Sequence, residues 1–330
     1  MALENKDKSD SYACAAFQLY QEGRVEDAAS KAQEELKIVP TAKWPHVLLG
    51  HIYSQQGECY EEAIAEFQKA IQLDSQAGDA YGGLGIVYER QGRQDEAIQM
   101  YRKAIEVDGG YYGTYLDLAR MYSAQGQLEE TERLCREALR LNPKSYEAHE
   151  CLGRIHHGRG KTKEAIAEFK QAIAANPKSA TAYDALGTIY SDLGQRDKAI
   201  GFLRQAVECD TAHIHAHYNL GAAYIRANRY ALAIPELQAV VKLQPDAADA
   251  HKLLGFAYYR QGEYDGAITA CQEALRLDPK NPQIVDVHKI LGSAYVHKGN
   301  KPAAQREYDQ LRRINEAWAQ ELNKAIDAMP

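Results

Sequence analysis

The sequence lacks the features that mark several large classes of protein. No apolar run is long enough to span a bilayer, and Met1 to Asp10 contain no apolar signal-peptide segment. The six cysteines are scattered, and no two are separated by two residues, which argues against a disulfide framework or a zinc site. A net charge of −7 is unlike the basic surface of nucleic-acid or anionic-membrane binders. We therefore expect a cytoplasmic protein without cofactor or metal, nucleic-acid partner or direct membrane insertion.

Signals for strands and for catalysis are also missing. No stretch alternates apolar and polar residues between hairpin turns. There is no serine-nucleophile motif and no pair of carboxylates placed for acid–base work. Gly82-Gly83-Leu84-Gly85 superficially resembles a phosphate-binding loop, but it lies inside a predicted helix and lacks the strand that such a loop follows. The sequence therefore predicts no enzyme and no catalytic residues.

What the sequence does contain is one pattern that returns at a nearly constant interval. It reads Leu-Gly-x-x-Tyr, then a glycine, an alanine, an apolar residue and often Asn-Pro or Asp-Pro. Corresponding residues such as Leu152 and Leu186 lie 34 positions apart. One copy consists of Leu152, Gly153, His156, Gly160, Ala165, Phe169, Ala172 and Pro177, and the next of Leu186, Gly187, Tyr190, Gly194, Ala199, Leu203, Ala206 and Asp210.

This period and signature resemble the tetratricopeptide repeat. The resemblance implies an all-α, right-handed superhelical solenoid of about nine helix-turn-helix units, in which stacking of the pairs creates the core. The predicted repeats are 9–42, 43–77, 78–111, 112–145, 146–179, 180–213, 214–247, 248–281 and 285–318. A disordered tail over 1–8 and an amphipathic capping helix over 316–330 complete the prediction.

Glycines between the two helices of each repeat should allow the turn, because glycine tolerates positive φ. They are Gly57, Gly92, Gly126, Gly160, Gly194, Gly262 and Gly299. Asn228 replaces this glycine in the seventh repeat, and Asn also tolerates that conformation. Extra residues fall near Cys59 and at 282–284. In the capping helix, Trp318, Leu322, Ala325 and Met329 follow helical spacing and predict the buried stripe.

Histidines are plentiful, which raises the possibility of a metal site. His46, His149, His217, His251 and His288 share one register position, where other repeats carry tyrosine, and His156 replaces the tyrosine of Leu-Gly-x-x-Tyr. We interpret them as half-buried packing rings. Cys209, His213, His215 and His217 form a cluster of potential metal ligands in sequence. We favour no metal there, because alternate residues on a helix point apart.

In the family, one side of the first helix of each repeat lines a concave groove. By resemblance, these positions combine aromatic rings with Lys and Arg in the last three repeats, the residue types that most often anchor interfaces. The alternative is that they are unselected surface side chains. The predicted partner-binding residues are Arg120, Arg154, His215, Tyr218, Arg226, Lys252, Phe256, Tyr259, Arg260 and Lys289.

We expect a non-enzymatic adaptor or scaffold that binds a protein segment, acidic and apolar in character, in the groove. The alternative is a structural subunit docked permanently in a larger assembly. The sequence leaves the partner and the oligomeric state open, since fold alone does not define function.

Overall fold

The computed structural model describes residues 2–57, 59–279 and 284–329, with side chains from residue 12 onward. These residues form 19 α-helices and no strand. The chain divides into two compact units, Met1–Ile155 and His156–Pro330. Within the described residues, no helix combines the length and the apolarity needed to cross a membrane.

The first unit is a stack of antiparallel helix pairs. Its helices are α1 (Ala2–Gln21), α2 (Val25–Ile38), α3 (Lys43–Gln55), α4 (Tyr60–Leu73), α5 (Gly78–Arg90), α6 (Gln94–Val107), α7 (Tyr112–Ala124), α8 (Leu128–Leu141) and the larger part of α9 (Tyr146–Gly158). From α1 to α8, each odd-numbered helix packs against the even-numbered helix that follows it, and up to α7 each helix also packs on the next along the chain.

The second unit repeats this arrangement. Its helices after α9 are α10 (Thr162–Ala175), α11 (Ala180–Asp192), α12 (Arg196–Cys209), α13 (Ile214–Arg226), α14 (Tyr230–Leu243), α15 (Ala248–Gln261), α16 (Tyr264–Leu277), α17 (Ile284–His297), α18 (Lys301–Ile314) and α19 (Glu316–Asp327). Each predicted repeat thus contains two helices, and the prediction of a helical solenoid is confirmed. The handedness of the predicted superhelix stays a prediction.

The turns within the pairs have the predicted backbone conformation. All seven predicted turn glycines have positive φ, between 66° and 82°. Asn228 takes the same conformation with φ 57°, the one non-glycine residue with positive φ in the described part of the chain. Its Oδ1 accepts a hydrogen bond from the Tyr230 hydroxyl at 2.6 Å, so the side chain that replaces glycine is held in place.

Close approach of the two helices in a pair depends on the Leu-Gly glycine. A Cβ built on Gly187 would lie 2.5 Å from Leu203 Cγ, and one on Gly85 would lie 2.6 Å from the Tyr101 ring. Leu203 and Tyr101 are fully buried at these contacts. The glycine therefore provides the space into which the large side chain of the second helix packs.

The ends of the chain differ from the sequence-based expectation. Helix α1 begins at Ala2, where the sequence predicted a disordered tail over 1–8, and alanine, leucine, glutamate and lysine in this stretch are good helix formers. Pro282 and Gln283 of the predicted insertion lie outside the described residues, and Ile284 begins α17.

Helix α19 lies within the predicted range 316–330, but its buried stripe shares only Leu322 with the predicted one. The buried residues are Ala319, Leu322 and Ile326. Trp318 is 36% exposed, and Ala325 and Met329 are half-buried. The stripe is rotated because Leu322 faces α17, where a Cβ on Gly292 would lie 2.4 Å from Leu322 Cδ2.

Candidate functional site

A groove in the second unit gathers half of the predicted partner-binding residues. It has a volume of about 610 Å³ and is formed by the first helices of three successive repeats, α13, α15 and α17. We call it the C-terminal groove. Its lining residues are Ile225, Lys252, Leu253, Phe256, Tyr259, Arg260, Asp286, Lys289, Ile290 and Ser293. The predicted residues among them are Lys252, Phe256, Tyr259, Arg260 and Lys289.

The register explains why these residues meet. Lys252, Phe256 and Tyr259 are spaced four and three residues apart, so they share one face of α15. Lys289 and Ser293 repeat the spacing on α17. Leu253 and Ile290 add apolar surface beside this row. The result is an apolar floor with charged groups around it.

Arg260 has an unusual environment for an exposed guanidinium. Its Cζ lies 4.6 Å from the Tyr230 ring centroid and 5.6 Å from that of Phe256. Phe256 and Tyr230 make an edge-on contact at 6.0 Å. Among the described residues, no carboxylate lies within ion-pair distance of Arg260. The rings orient the cation through cation–π contacts, and its N–H groups stay available for an acceptor.

The two lysines of the groove are held differently. Lys252 Nζ lies 2.7 Å from Asp249 Oδ1 and its side chain is only 12% exposed. Lys289 Nζ lies 3.1 Å from the centroid of the Trp318 ring and 4.0 Å from Glu321 Oε2. Asp286 is the one acidic residue in the lining. The lining residues alone carry charges of +3 and −1, and Arg260 is the lining cation that has no described carboxylate beside it.

An aromatic cluster beside the groove was missed in the sequence. Tyr264 stacks on His297 with centroids 4.5 Å apart and planes within 4°. Tyr259 lies 6.0 Å from Tyr264 and 6.1 Å from His297. Tyr264 begins α16, and His297 lies in the last turn of α17, so no spacing along one helix could have indicated the contact.

Three predicted residues of the second unit lie outside this groove. Arg226 Nη1 donates a hydrogen bond to Ser191 Oγ at 2.8 Å. Tyr218 is half-buried, and burial raises the pKa of its hydroxyl, with Asp249 adding to the effect. His215 is exposed, 6.4 Å from the His213 ring. The lining of the C-terminal groove does not include these three residues.

The remaining two predicted residues belong to the first unit. Arg120 and Arg154 line a groove of about 640 Å³ together with Tyr111, Tyr112 and Glu147. Arg120 Nη2 lies 2.9 Å from Glu89 Oε2 and 3.1 Å from Asp117 Oδ1.

The position shared by five histidines does pack imidazole rings, as predicted. His46, His217 and His288 are buried, and His149 and His251 are half-buried. What the sequence missed is that the three buried rings each meet a glutamate from the second helix of the same repeat. His46 Nδ1 lies 2.5 Å from Glu66 Oε2, and the Nδ1–Oε2 distances are 2.7 Å for His217 and Glu236 and 2.6 Å for His288 and Glu307.

One of these glutamates, Glu66, has a shifted pKa. Burial alone would favour the neutral form of Glu66. Hydrogen bonds from His46 and Lys69 outweigh it and lower the pKa of Glu66 below its ordinary value. The carboxylate is therefore charged in the folded protein, and the signal in sequence is a glutamate 19 or 20 residues after the histidine.

The sequence cluster around His215 is not assembled into a metal site. His213 Nδ1 accepts a hydrogen bond from Ala216 N at 3.2 Å and caps α13, His217 is paired with Glu236, and Cys209 Sγ lies 3.7 Å from Pro177 O. No group of three potential metal ligands occurs in the part of the chain that the structure describes.

These helix pairs, with glycine turns and a groove along their first helices, define an α-helical repeat protein. Models of the tetratricopeptide repeat match residues 41–108, 90–155, 180–213 and 218–282, and a further TPR repeat model matches 153–194. The chain belongs to the tetratricopeptide repeat family. A search of curated proteins finds no match.

Solved structures show the same fold. The structure described as the APC/C hetero-tetramer Cut9-Hcn1 aligns with a TM-score of 0.61 and 19% identity over 88% of this chain. This chain covers 56% of the length of that one. PilF of Pseudomonas aeruginosa aligns with a TM-score of 0.54 and 19% identity over 64% of this chain and 96% of PilF. At these identities the likeness extends to the fold alone.

Proposed function

We propose that the protein is a non-enzymatic adaptor that binds a segment of a partner protein in the C-terminal groove. The observation that carries this proposal is the exposed Arg260, oriented by two aromatic rings and unpaired with any described carboxylate. Holding a guanidinium over rings without a counter-ion leaves its hydrogen-bonding capacity for an incoming acceptor. Arginine and aromatic anchors are the residues on which interface affinity most often depends.

The lining supports a segment that is both acidic and apolar. Leu253 and Ile290 offer apolar contact, while Lys252, Arg260 and Lys289 surround it with positive charge. A segment with a carboxylate next to an apolar side chain satisfies both. A volume of about 610 Å³ accommodates a few side chains and not a folded domain.

The test is a selection of short random peptides, displayed on phage, against the full chain. We expect peptides that combine Asp or Glu with apolar residues. Their affinity should fall by about 1–3 kcal/mol in Tyr259→Ala and in Arg260→Ala, the range of interface anchors. Arg276→Ala is the matched control, because Arg276 lies on the second helix of the same repeat, 66% exposed and paired with Glu273.

Unchanged affinity in both groove variants would refute the assignment. The alternative, a structural subunit of a larger assembly, predicts instead that a partner co-purifies stoichiometrically through extensive washing and is unaffected by either variant.

A further inference from the structure

The first unit contains a groove whose chemistry is opposite to that of the C-terminal groove. It has a volume of about 530 Å³ and is formed mainly by α1, α3, α5 and α7. We call it the N-terminal groove. Most of its lining is aromatic, apolar or acidic, and Lys and Arg are absent from the described lining. Four aromatic side chains, Phe17, Tyr20, Trp44 and Tyr111, contribute to the walls.

Gly82 lies in the middle of α5 and lines this groove. The packing of the surrounding side chains does not require a glycine at this position. A Cβ built on it would meet only Thr114 Oγ1, at 3.9 Å. Its neighbour Gly83 is different, since a Cβ there would lie 2.3 Å from the Phe67 ring. At the register position of Gly82, the adjacent repeats carry Val47 and Leu116.

Glycine inside a helix is destabilising relative to other residues, so its presence needs a reason. The φ of Gly82 is not positive, and the surrounding space would admit a side chain. Neither backbone geometry nor packing accounts for it. Because Gly82 also lines a groove, close approach of another molecule to the helix would account for it, since a glycine leaves the backbone open to contact.

Three carboxylates give the groove its charge. Asp79 is exposed and has no hydrogen-bond or ion-pair partner among the described residues. Asp108 Oδ1 accepts a hydrogen bond from Gly110 N at 3.2 Å and faces no described cation. Asp117 Oδ1 lies 3.1 Å from Arg120 Nη2, and Arg120 itself does not line this groove. Two of the three carboxylates are therefore not neutralised by the described part of the protein.

The aromatic wall fits the same kind of ligand. Phe17 and Trp44 make an edge-on contact with centroids 5.9 Å apart, and Phe17 is 43% exposed. Tyr111 is 59% exposed. Open aromatic faces beside carboxylates attract a cation both by charge and by the ring quadrupole.

We propose that the N-terminal groove binds a protein segment that presents a Lys or Arg side chain beside an apolar one, with the segment lying against α5 at Gly82. The cation lies between the carboxylates of Asp79 and Asp108 and the aromatic wall. The apolar side chain contacts Ile86, which is half-buried in the same lining. This site and ligand are independent of those of the C-terminal groove, since the lining charges have opposite sign.

The same phage selection against the full chain tests this proposal. Selected peptides are sorted by whether binding is lost in Gly82→Leu, which fills the groove. The matched control is Gly201→Leu in α12, another helix glycine with open surroundings and outside this groove. Leucine is a better helix former than glycine, so both variants should fold, as circular dichroism would show.

We expect a set of peptides enriched in Lys or Arg that bind Gly201→Leu normally. Their affinity should fall at least about tenfold in Gly82→Leu and several-fold in Asp79→Asn, and weaken with salt. Gly82-dependent peptides without Lys or Arg would overturn the proposed ligand chemistry. The absence of any Gly82-dependent peptide would overturn the site. Neither result bears on peptides that depend on Arg260, so the two proposals fail separately.

Discussion

The buried side chain of Leu322 attaches α19 to the rest of the second unit. Its replacement by alanine tests how much this packing contributes to stability. The side chain is 5% exposed and belongs to a buried cluster with Ala304, Leu311, Ala319 and Ile326. It packs directly against the backbone of α17, since a Cβ on Gly292 would lie 2.4 Å from Leu322 Cδ2.

The size of the effect follows from this packing. Leu→Ala at buried sites costs about 2–5 kcal/mol, with the larger values where the surroundings cannot collapse into the cavity. Helix α19 packs on α17 and α18, so partial relaxation is available and we expect about 2–4 kcal/mol. The control is Glu321→Ala on the same helix. Glu321 is 65% exposed and 4.0 Å from Lys289 Nζ, so its removal should cost at most about 1 kcal/mol.

Hydrogen exchange measured by mass spectrometry shows where the loss falls. Neighbouring repeats couple only to each other, so protection should drop in α18 and α19 while α3 to α6 stay unchanged. If Leu322→Ala and Glu321→Ala unfold at the same denaturant concentration and show the same hydrogen-exchange protection, the contact between Leu322 and Gly292 does not hold α19 in place. That result would refute the reasoning.

Three further outcomes are expected. Burial raises the pKa of Asp117 to about 6, above its unfolded value, so the contribution of this carboxyl to the free energy of unfolding should fall by up to roughly 3 kcal/mol as pH rises from about 4 to about 6. Carboxylates with a lowered pKa, such as Glu66, contribute in the opposite direction, so the measurement is the difference between the unchanged protein and Asp117→Asn. Asp117→Asn should lack this fall in urea titrations across that range, and a parallel profile would contradict the assignment. Replacing His217 by Ala leaves the Glu236 carboxylate without its ring partner at 2.7 Å, which should lower the thermal midpoint by the equivalent of about 1–3 kcal/mol; an unchanged midpoint would show the pair to be dispensable. Dialysis against a chelator should leave the melting curve unchanged, and stoichiometric zinc or iron in protein purified without metal-affinity steps would overturn this.

The helices, their turns and half of the lining of the C-terminal groove were predictable because they depend on local register. Lys252, Phe256 and Tyr259 share a helical face whatever packs behind them. The turn conformation of Asn228 follows from its place in the repeat. These features need only the position of a residue within its own helix pair.

Features that depend on contact between helices were not predictable in this way. The periodicity of α19 predicted a buried stripe of Trp318, Leu322, Ala325 and Met329, but only Leu322 of these is buried, with Ala319 and Ile326 beside it. The histidine–glutamate pairs likewise join two helices, and the histidine position alone indicated only packing. Gly82 matched a loop motif that the fold excludes, and its open surroundings became visible only in three dimensions.

The histidine–glutamate pairs also bear on how such a chain can be recombined. In each case the imidazole comes from the first helix and the carboxylate from the second helix of one repeat, as with His46 and Glu66. A repeat exchanged whole carries both halves of the pair with it. A crossover between the two helices would leave one buried polar group without its counterpart. The helix pair, and not the helix, is therefore the module that evolution or protein engineering can shuffle in this array.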